Sequence, residues 1–456
     1  MAKLRVSRDA GAARRATFME PAQKITLGFA GAVALGTLLL MLPVSSAEGR
    51  WTGVVDALFT ATSAVCVTGL TVVDTATHWS GFGQVVILLL IQLGGLGIML
   101  FAALVGLLLA RKMSVRARLV AGAETKTSGD GNTRRIGIGI LQTSLAIEAV
   151  VALLLCLRFV FGYGYDLPKA IWYATFHAVS AFNNAGFALY SDNMMSFVAD
   201  PWICLPLCLA IVLGGLGFPV LRQLRRELWV PLRWTMNTRI VLIMSGALLA
   251  AGTVFFTVVE WSNPATLGKL DPAARLLAGF FQSVQARTAG FNSVDISQLH
   301  DGTWLGLDVL MFIGGGPAGT AGGIKVTTFA VLFFIVWTEL RGGTSVNIFG
   351  KRLSRAVHRE AITVVVIAIG AIITVTLLIL NITDVDLDLV LFEAVSAFGT
   401  VGLSAGITAT LPDAAQLMLV LLMFLGRLGP LTLGSALALR ERRIAYELPK
   451  ERPAIG

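Results

Sequence analysis

Charged residues make up only 14% of this 456-residue chain, while 55% of its residues are hydrophobic and the mean hydropathy is +0.78. A soluble domain carries about 25% charged residues, so a wholly soluble fold is excluded. Histidine is scarce too. His78, His177, His300 and His358 stand at no metal-ligand spacing, and no nucleophile, base and orienting group can be assembled around them. That argues against an enzyme. The four cysteines, Cys66, Cys156, Cys204 and Cys208, lie in or beside apolar stretches and imply no disulfide. Cys204 and Cys208 share a helix face, but two thiols without a third ligand make a poor transition-metal site, so all four read as packing residues. A cleavable signal pattern is missing as well, because the first apolar run is of spanning length and lacks a small-residue cleavage site.

Long apolar runs fill the gap that charge leaves. Residues 24–43, 83–110, 136–162, 202–221, 236–260, 361–380 and 416–439 are each long enough to cross a hydrocarbon core of about 30 Å. The net charge of +9 is distributed by side. With the N-terminus inside and alternating spans, segments 1–24, 111–135, 222–239, 341–359 and 440–456 hold 28 of the 36 Lys and Arg. The opposite side is acidic, with Asp56, Asp74, Asp166, Asp192, Asp200, Asp295, Asp301, Asp384, Asp386 and Asp388. This positive-inside pattern predicts a multi-pass protein of the cytoplasmic membrane with both termini cytoplasmic, not a nucleic-acid binder. The basic faces are left to anionic lipid, to a partner protein, or to topology alone.

Four segments repeat. Residues 59–70 (FTATSAVCVTGL), 176–187 (FHAVSAFNNAGF), 280–291 (FFQSVQARTAGF) and 392–403 (FEAVSAFGTVGL) each place Phe ten residues before Gly, with a large apolar residue directly after. The aligned Gly69, Gly186, Gly290 and Gly402 are 117, 104 and 112 residues apart. A second glycine cluster follows each, at Gly94, Gly214, Gly314 and Gly426, 25, 28, 24 and 24 residues later. Each unit reads as a spanning helix, a half-crossing helix, a Gly turn and a second spanning helix. The expected fold is all-α and integral to the membrane, with eight spans and four re-entrant loops around a central pore, pseudo-fourfold and potassium-channel-like.

Irregular backbone at membrane depth is tolerated only where protein buries it or water lines it, and four turns on one axis meet that condition. Each half-helix aims its partially negative C-terminal end at the membrane centre, which favours a cation. The candidate selectivity filter is Val67, Thr68, Gly69; Asn184, Ala185, Gly186; Thr288, Ala289, Gly290; and Thr400, Val401, Gly402. Their side chains are small and uncharged, so backbone carbonyls would bind a monovalent ion. Glycines that serve only close helix packing are the competing explanation. Packing does not account for the shared Phe and the fourfold spacing. A carrier with alternating access is a second rival, although carriers show two repeats, often inverted.

The motifs VCVTGL, FNNAGF, ARTAGF and FGTVGLS together resemble the potassium-transport subunits of the Trk/Ktr/HKT superfamily, over nearly the whole chain. The chain opens directly on the first helix of repeat one, without an extra N-terminal helix pair, which is similar to the KtrB type rather than the longer TrkH type. That resemblance implies potassium uptake through a channel-like pore. It implies a homodimer with one pore per protomer, docked on a cytosolic KtrA-like ring of nucleotide-binding subunits, where ATP favours activity and ADP opposes it. Sodium is implied as an activator, with no residue assigned to it. One glycine per turn, where potassium channels have two, implies looser selectivity against sodium.

Repeat three departs from the others. Gly314, Gly315, Gly316, Pro317, Ala318, Gly319, Thr320, Ala321, Gly322 and Gly323 hold six Gly and one Pro in ten residues. Helix propensity collapses there, which predicts an unwound loop just below the filter. A phosphate-binding loop is excluded because Lys325 follows Gly-Ile and has no Ser or Thr after it. Arg427 occupies the matching depth in repeat four, where an arginine is costly and marks either function or a structural pair between two helices. By resemblance, the loop is an intramembrane gate and Arg427 contacts it, donating to loop carbonyls. Arg287, three residues before Gly290, is expected to point behind the filter and pair with a carboxylate, Glu393 being the candidate. Glu148 is either a proton or sodium relay or a buried carboxylate bonded to a neighbouring helix. The expected layout is a tail at 1–23, repeat one at 24–112, repeat two at 113–222, repeat three at 223–340 with its second helix 304–338 broken, repeat four at 341–440, and a tail at 441–456.

Overall fold

The computed structural model describes residues 21–112, 133–343 and 345–429. Both expected tails, apart from residues 21–23, and the end of the last expected span lie outside the described residues. Repeat one comprises α1 (Pro21–Met41), α2 (Val54–Cys66) and α3 (Gly81–Lys112). Repeat two has α4 (Thr133–Tyr163), α5 (Leu167–Phe182), α6 (Pro201–Leu216) and α7 (Phe218–Glu227). In repeat three follow α8 (Met236–Glu260), α9 (Pro272–Gln285), α10 (Asp301–Phe312) and α11 (Val326–Leu340). A short hairpin, β1 (Asn347–Ile348) and β2 (Lys351–Arg352), leads to repeat four, with α12 (Arg355–Leu380), α13 (Leu387–Gly399) and α14 (Asp413–Leu428).

Helices α1, α3, α4, α8 and α12 each contain a stretch long and apolar enough to cross a membrane. Leu38, Leu89, Leu153, Val254 and Val366 are exposed on them, as apolar side chains facing lipid or another apolar surface would be. The half-helices α2, α5, α9 and α13 have 13, 16, 14 and 13 residues. At 1.5 Å per residue they reach about 20–24 Å, short of a crossing. Their starts are written locally: Asp166, Asp271 and Asp386 precede three of them, and Asp271 caps α9 by accepting from Ala274 N at 3.2 Å. Phe59, Phe176 and Phe392 of the repeated motif are fully buried. Repeat three is offset: Phe280 is half-buried and Phe281 takes the core position.

The second glycine cluster has a packing origin. A Cβ on Gly94, Gly214 or Gly426 would overlap the carbonyl oxygen of Val65, Phe182 or Phe398 respectively. These carbonyls share one position, six residues after the repeated Phe, so each second helix crosses its half-helix with no room for a side chain. Gly314 breaks the rule and faces Gly322 O of its own loop.

One expected span is wrong in shape. Run 202–221 is not a single helix: α6 and α7 are bent by 102° at Gly217, whose φ is +92°. Pro219 follows in the first turn of α7, where a missing N–H costs nothing. Gly429 closes α14 with nearly the same backbone, φ +82° and ψ 140° against φ +92° and ψ 143° at Gly217. The break expected in repeat three is present between α10 and α11.

Gly426→Val is expected to destabilise the detergent-solubilised protein by about 1–3 kcal/mol or more, since the overlapped atom is backbone and cannot swing aside. Gly28→Ala, with nothing near its Cβ, is expected to be neutral or mildly stabilising. Thermal melts followed by size-exclusion chromatography check both; equal melting temperatures would contradict the packing account.

Candidate functional site

The four turns share one backbone. Val67, Asn184, Thr288 and Thr400, eight residues after the repeated Phe, have φ of +56°, +59°, +69° and +49°. Two residues later Gly69, Gly186, Gly290 and Gly402 have φ of +91°, +70°, +77° and +94°. Left-handed Val and Thr are uncommon, and such strain collects at functional sites. The amide between the two left-handed residues turns back to its own helix. Thr68 N donates to Ser63 O at 2.7 Å, Ala185 N to Ser180 O at 2.7 Å, Ala289 N to Gln285 O at 3.0 Å and Val401 N to Ser396 O at 2.9 Å. Ser63 Oγ and Ser396 Oγ also accept from Gly69 N and Gly402 N, at 3.0 and 3.1 Å. The recurrent serine stands in three of the four aligned segments, and sequence reasoning passed over it.

The twelve carbonyls are treated in the opposite way. Among the described residues, none of those from Val67 to Gly69, Asn184 to Gly186, Thr288 to Gly290 or Thr400 to Gly402 accepts a hydrogen bond. Ten of the twelve residues are buried, and Gly69 and Gly402 are half-buried. The turns also close on one another. A Cβ built on Gly69, Gly186, Gly290 or Gly402 would lie 3.2, 3.0, 3.1 or 3.1 Å from the Cα of the glycine in the next repeat, the last returning to Gly69. The ring therefore runs through repeats one, two, three and four in order. Carbonyls left without donors in a buried ring are costly unless something positive takes their place. A cation shed of its water is one group that can do so.

The glycine-rich segment of repeat three lies against the half-helix ends. Ile313 and Ile324 form a parallel bridge, with Gly314 N donating to Ile324 O at 2.8 Å and Val326 N to Gly315 O at 2.9 Å. The loop then borrows the broken backbone of repeat two: Gly316 N donates to Gly215 O at 2.7 Å, Thr320 N to Gly214 O at 3.1 Å, and Phe218 N to Ala318 O at 3.1 Å. Thr320 Oγ1 lies 2.8 Å from Asn184 Oδ1 and 3.2 Å from Phe182 O. On the far side, a Cβ on Gly322 would overlap Thr400 Oγ1, and one on Gly323 would lie 3.3 Å from Gly399 Cα.

Three cationic side chains hold the loop. Arg427 Nη1 donates to Thr320 O, while its Nη2 reaches Gly94 O of repeat one at 3.1 Å. Lys325 Nζ donates to Ala321 O at 2.6 Å. Arg287 Nη2 donates to Gly314 O at 2.8 Å. That last contact corrects the expected pairing of Arg287 with Glu393. Glu393 instead accepts from Ser404 Oγ, from Ala405 N at 3.1 Å and from Thr408 Oγ1 at 2.9 Å, all on the returning chain of its own repeat. A guanidinium on that side of the ring finds loop carbonyls closer than any carboxylate. Glu148 is bonded across helices, accepting from Gln92 Nε2 at 3.1 and 3.2 Å and from Asn183 Nδ2 at 3.3 Å. No cluster of His, Cys, Asp or Glu fit for a metal ion occurs among the described residues.

Four helix, turn and helix units closed into one ring define a multi-pass membrane protein of the pore-loop class. The chain belongs to the TrkH family of cation transport proteins, whose family model matches residues 14–440. It is 42% identical to Ktr system potassium uptake protein B of Vibrio alginolyticus over 91% of this chain and 90% of that protein. It is 35% identical to the potassium/sodium uptake protein NtpJ of Enterococcus hirae over 96% of this chain and 98% of that one. The solved potassium transporter TrkH of Vibrio parahaemolyticus shares the fold, with a TM-score of 0.73 over 93% of this chain and 87% of that one at 18% identity.

Thr320→Val removes a hydroxyl that ties the loop to the half-helix end of repeat two. Amide exchange at Gly316 and Thr320 is expected to quicken by roughly fivefold, the equivalent of about 1 kcal/mol. Hydrogen–deuterium exchange with mass spectrometry reads this directly, and exchange as slow as in the wild type would show that the loop is held without that hydroxyl.

Proposed function

We propose that this protein takes up potassium across the cytoplasmic membrane through a channel-like pore. The observation that carries the proposal is the closed ring of buried carbonyls with no hydrogen-bond donors. Val67, Thr68, Gly69, Asn184, Ala185, Gly186, Thr288, Ala289, Gly290, Thr400, Val401 and Gly402 supply backbone oxygens in place of an ion's hydration shell. An uncharged ring suits a monovalent ion, and relatives named as potassium and potassium/sodium uptake proteins support potassium as that ion. Saturable flux at carrier rates would favour alternating access instead.

Residues 314–323 serve as the gate of this pore, with Arg427 as its fastening. Two features support the role. The loop packs against the half-helix ends of repeats two and four, and Arg287, Lys325 and Arg427 bring three positive charges to it with no carboxylate partner among the described residues. A cation leaving the ring meets that charge, so conduction requires the loop to withdraw. Control comes from a cytosolic nucleotide-binding ring docked on a homodimer, with the basic faces and both termini on the cytoplasmic side and sodium as a further activator. Pull-down with the cytosolic partner, followed by flux with ATP or ADP, tests that part.

Gly290→Ala puts a methyl against Val401 O at a φ of +77° and is expected to abolish potassium uptake by purified protein in liposomes. Arg427→Ala removes charge-assisted bonds that hold the loop, each about 1.5–3 kcal/mol, and is expected to raise flux roughly tenfold or more. Flux unchanged by Arg427→Ala would remove the gate from the proposal, and full uptake by Gly290→Ala would remove the filter.

A further inference from the structure

The four turns are alike, but the chains that leave them are not fastened alike. One position after the repeated Phe stand Thr60, His177, Phe281 and Glu393. Twelve residues further along are Val72, Leu189, Ser293 and Ala405, on the irregular chain returning from each turn. In repeat two, Leu189 N donates to His177 Nε2 at 3.2 Å. In repeat four, Ala405 N donates to Glu393 Oε1 at 3.1 Å. Two unrelated side chains thus make the same bond, from the same helix position to the same position on the returning chain.

Each acceptor is itself held. His177 Nδ1 lies 2.7 Å from Tyr173 O, so it carries the ring proton and leaves Nε2 as an acceptor. The imidazole also stacks on Tyr190, with ring centroids 5.2 Å apart. Glu393 gathers two further donors, Ser404 Oγ and Thr408 Oγ1. Repeats one and three have no such bond at this position: Thr60 Oγ1 has no partner among the described residues, and Phe281 cannot accept one, while repeat three is held nearer the turn by Phe291 N donating to Gln285 Oε1 at 3.2 Å. Because the ring runs in the order one, two, three, four, repeats two and four face each other across it.

We infer that His177 and Glu393 are a pair of positioning residues that clamp the ring from two opposite sides, setting its width and so its discrimination between potassium and smaller cations. This inference rests on the pore proposed above. Neither residue touches the ion. Each acts by fixing the chain that follows the filter glycine, three residues before Leu189 in one case and before Ala405 in the other. Repeats one and three, which lack the staple, follow the two that have it. The ring is fourfold in backbone and, at this position, twofold in support.

The test is potassium uptake and its inhibition by sodium, measured on full-length protein in liposomes. His177→Ala and Glu393→Ala are each expected to lower the potassium-over-sodium preference by about tenfold in protein that remains monodisperse, and the preference, not the melting temperature, is the readout. His177→Gln and Glu393→Gln, which keep an acceptor at the right reach, are expected to restore most of it. Thr60→Ala, at the equivalent place without a staple, is expected to stay within twofold of the wild type. If Glu393→Ala does not give monodisperse protein, Ser404→Ala and Thr408→Val loosen the same clamp from the other end and are expected to shift the preference the same way. A preference unchanged in these variants, or one shifted equally by Thr60→Ala, overturns the inference. A wild-type protein that moves no potassium overturns the pore itself and the inference with it.

Discussion

A polypeptide inside a hydrocarbon layer must satisfy its backbone polar groups from within, and the irregular segments of this chain are organised by that demand. At the ring, the amide side is discharged onto the half-helices, through Ser63, Ser180, Gln285 and Ser396, and the carbonyl side is left over. At the loop of repeat three, the leftover groups are shared with a second break. Gly214 O, Gly215 O and Phe218 N, freed where α6 gives way to α7, meet Thr320 N, Gly316 N and Ala318 O. Two broken helices complete one another, and Arg427, Lys325 and Arg287 take three of the remaining loop carbonyls. The ring carbonyls have no protein partner among the described residues, and in the proposed function the ion takes that place.

Much of this was legible in the chain. The spacing of Phe59, Phe176, Phe280 and Phe392 from their glycines located four turns, because a left-handed backbone in a crowded ring leaves little choice but glycine. Six Gly and a Pro within 314–323 marked the unwound loop for the same kind of reason. The bend at Gly217 was not read, although Gly217-Phe218-Pro219 carries it, because hydropathy is blind to a kink that keeps both arms apolar. Arg287 was placed with the wrong partner. A charge inside a membrane does suggest an opposite charge, but backbone carbonyls stripped from a helix end satisfy a guanidinium as well, and sequence does not reveal which carbonyls are free.

Symmetry falls away in stages outward from the ring. The turns repeat four times within narrow limits of dihedral angle. One layer behind, repeats two and four resemble each other and differ from one and three, in the acceptors at His177 and Glu393 and in the left-handed glycines Gly217 and Gly429. Below the ring, among the described residues, repeat three alone has a glycine-rich loop between two helical halves, while repeat two has a sharp bend at Gly217. In the proposed function, selection of an ion needs equivalent oxygens, the inferred support comes from two opposed clamps, and closure needs a single plug. Each degree of symmetry matches its task.

The central claim is that the ring carbonyls hold potassium. Anomalous diffraction from crystals of the wild-type protein grown in rubidium, a potassium substitute that scatters strongly, addresses it most directly. A peak on the ring axis, among the carbonyls of Thr68, Ala185, Ala289 and Val401, is the predicted result. A ring with no anomalous density, in a protein that carries rubidium in flux assays, would contradict the account.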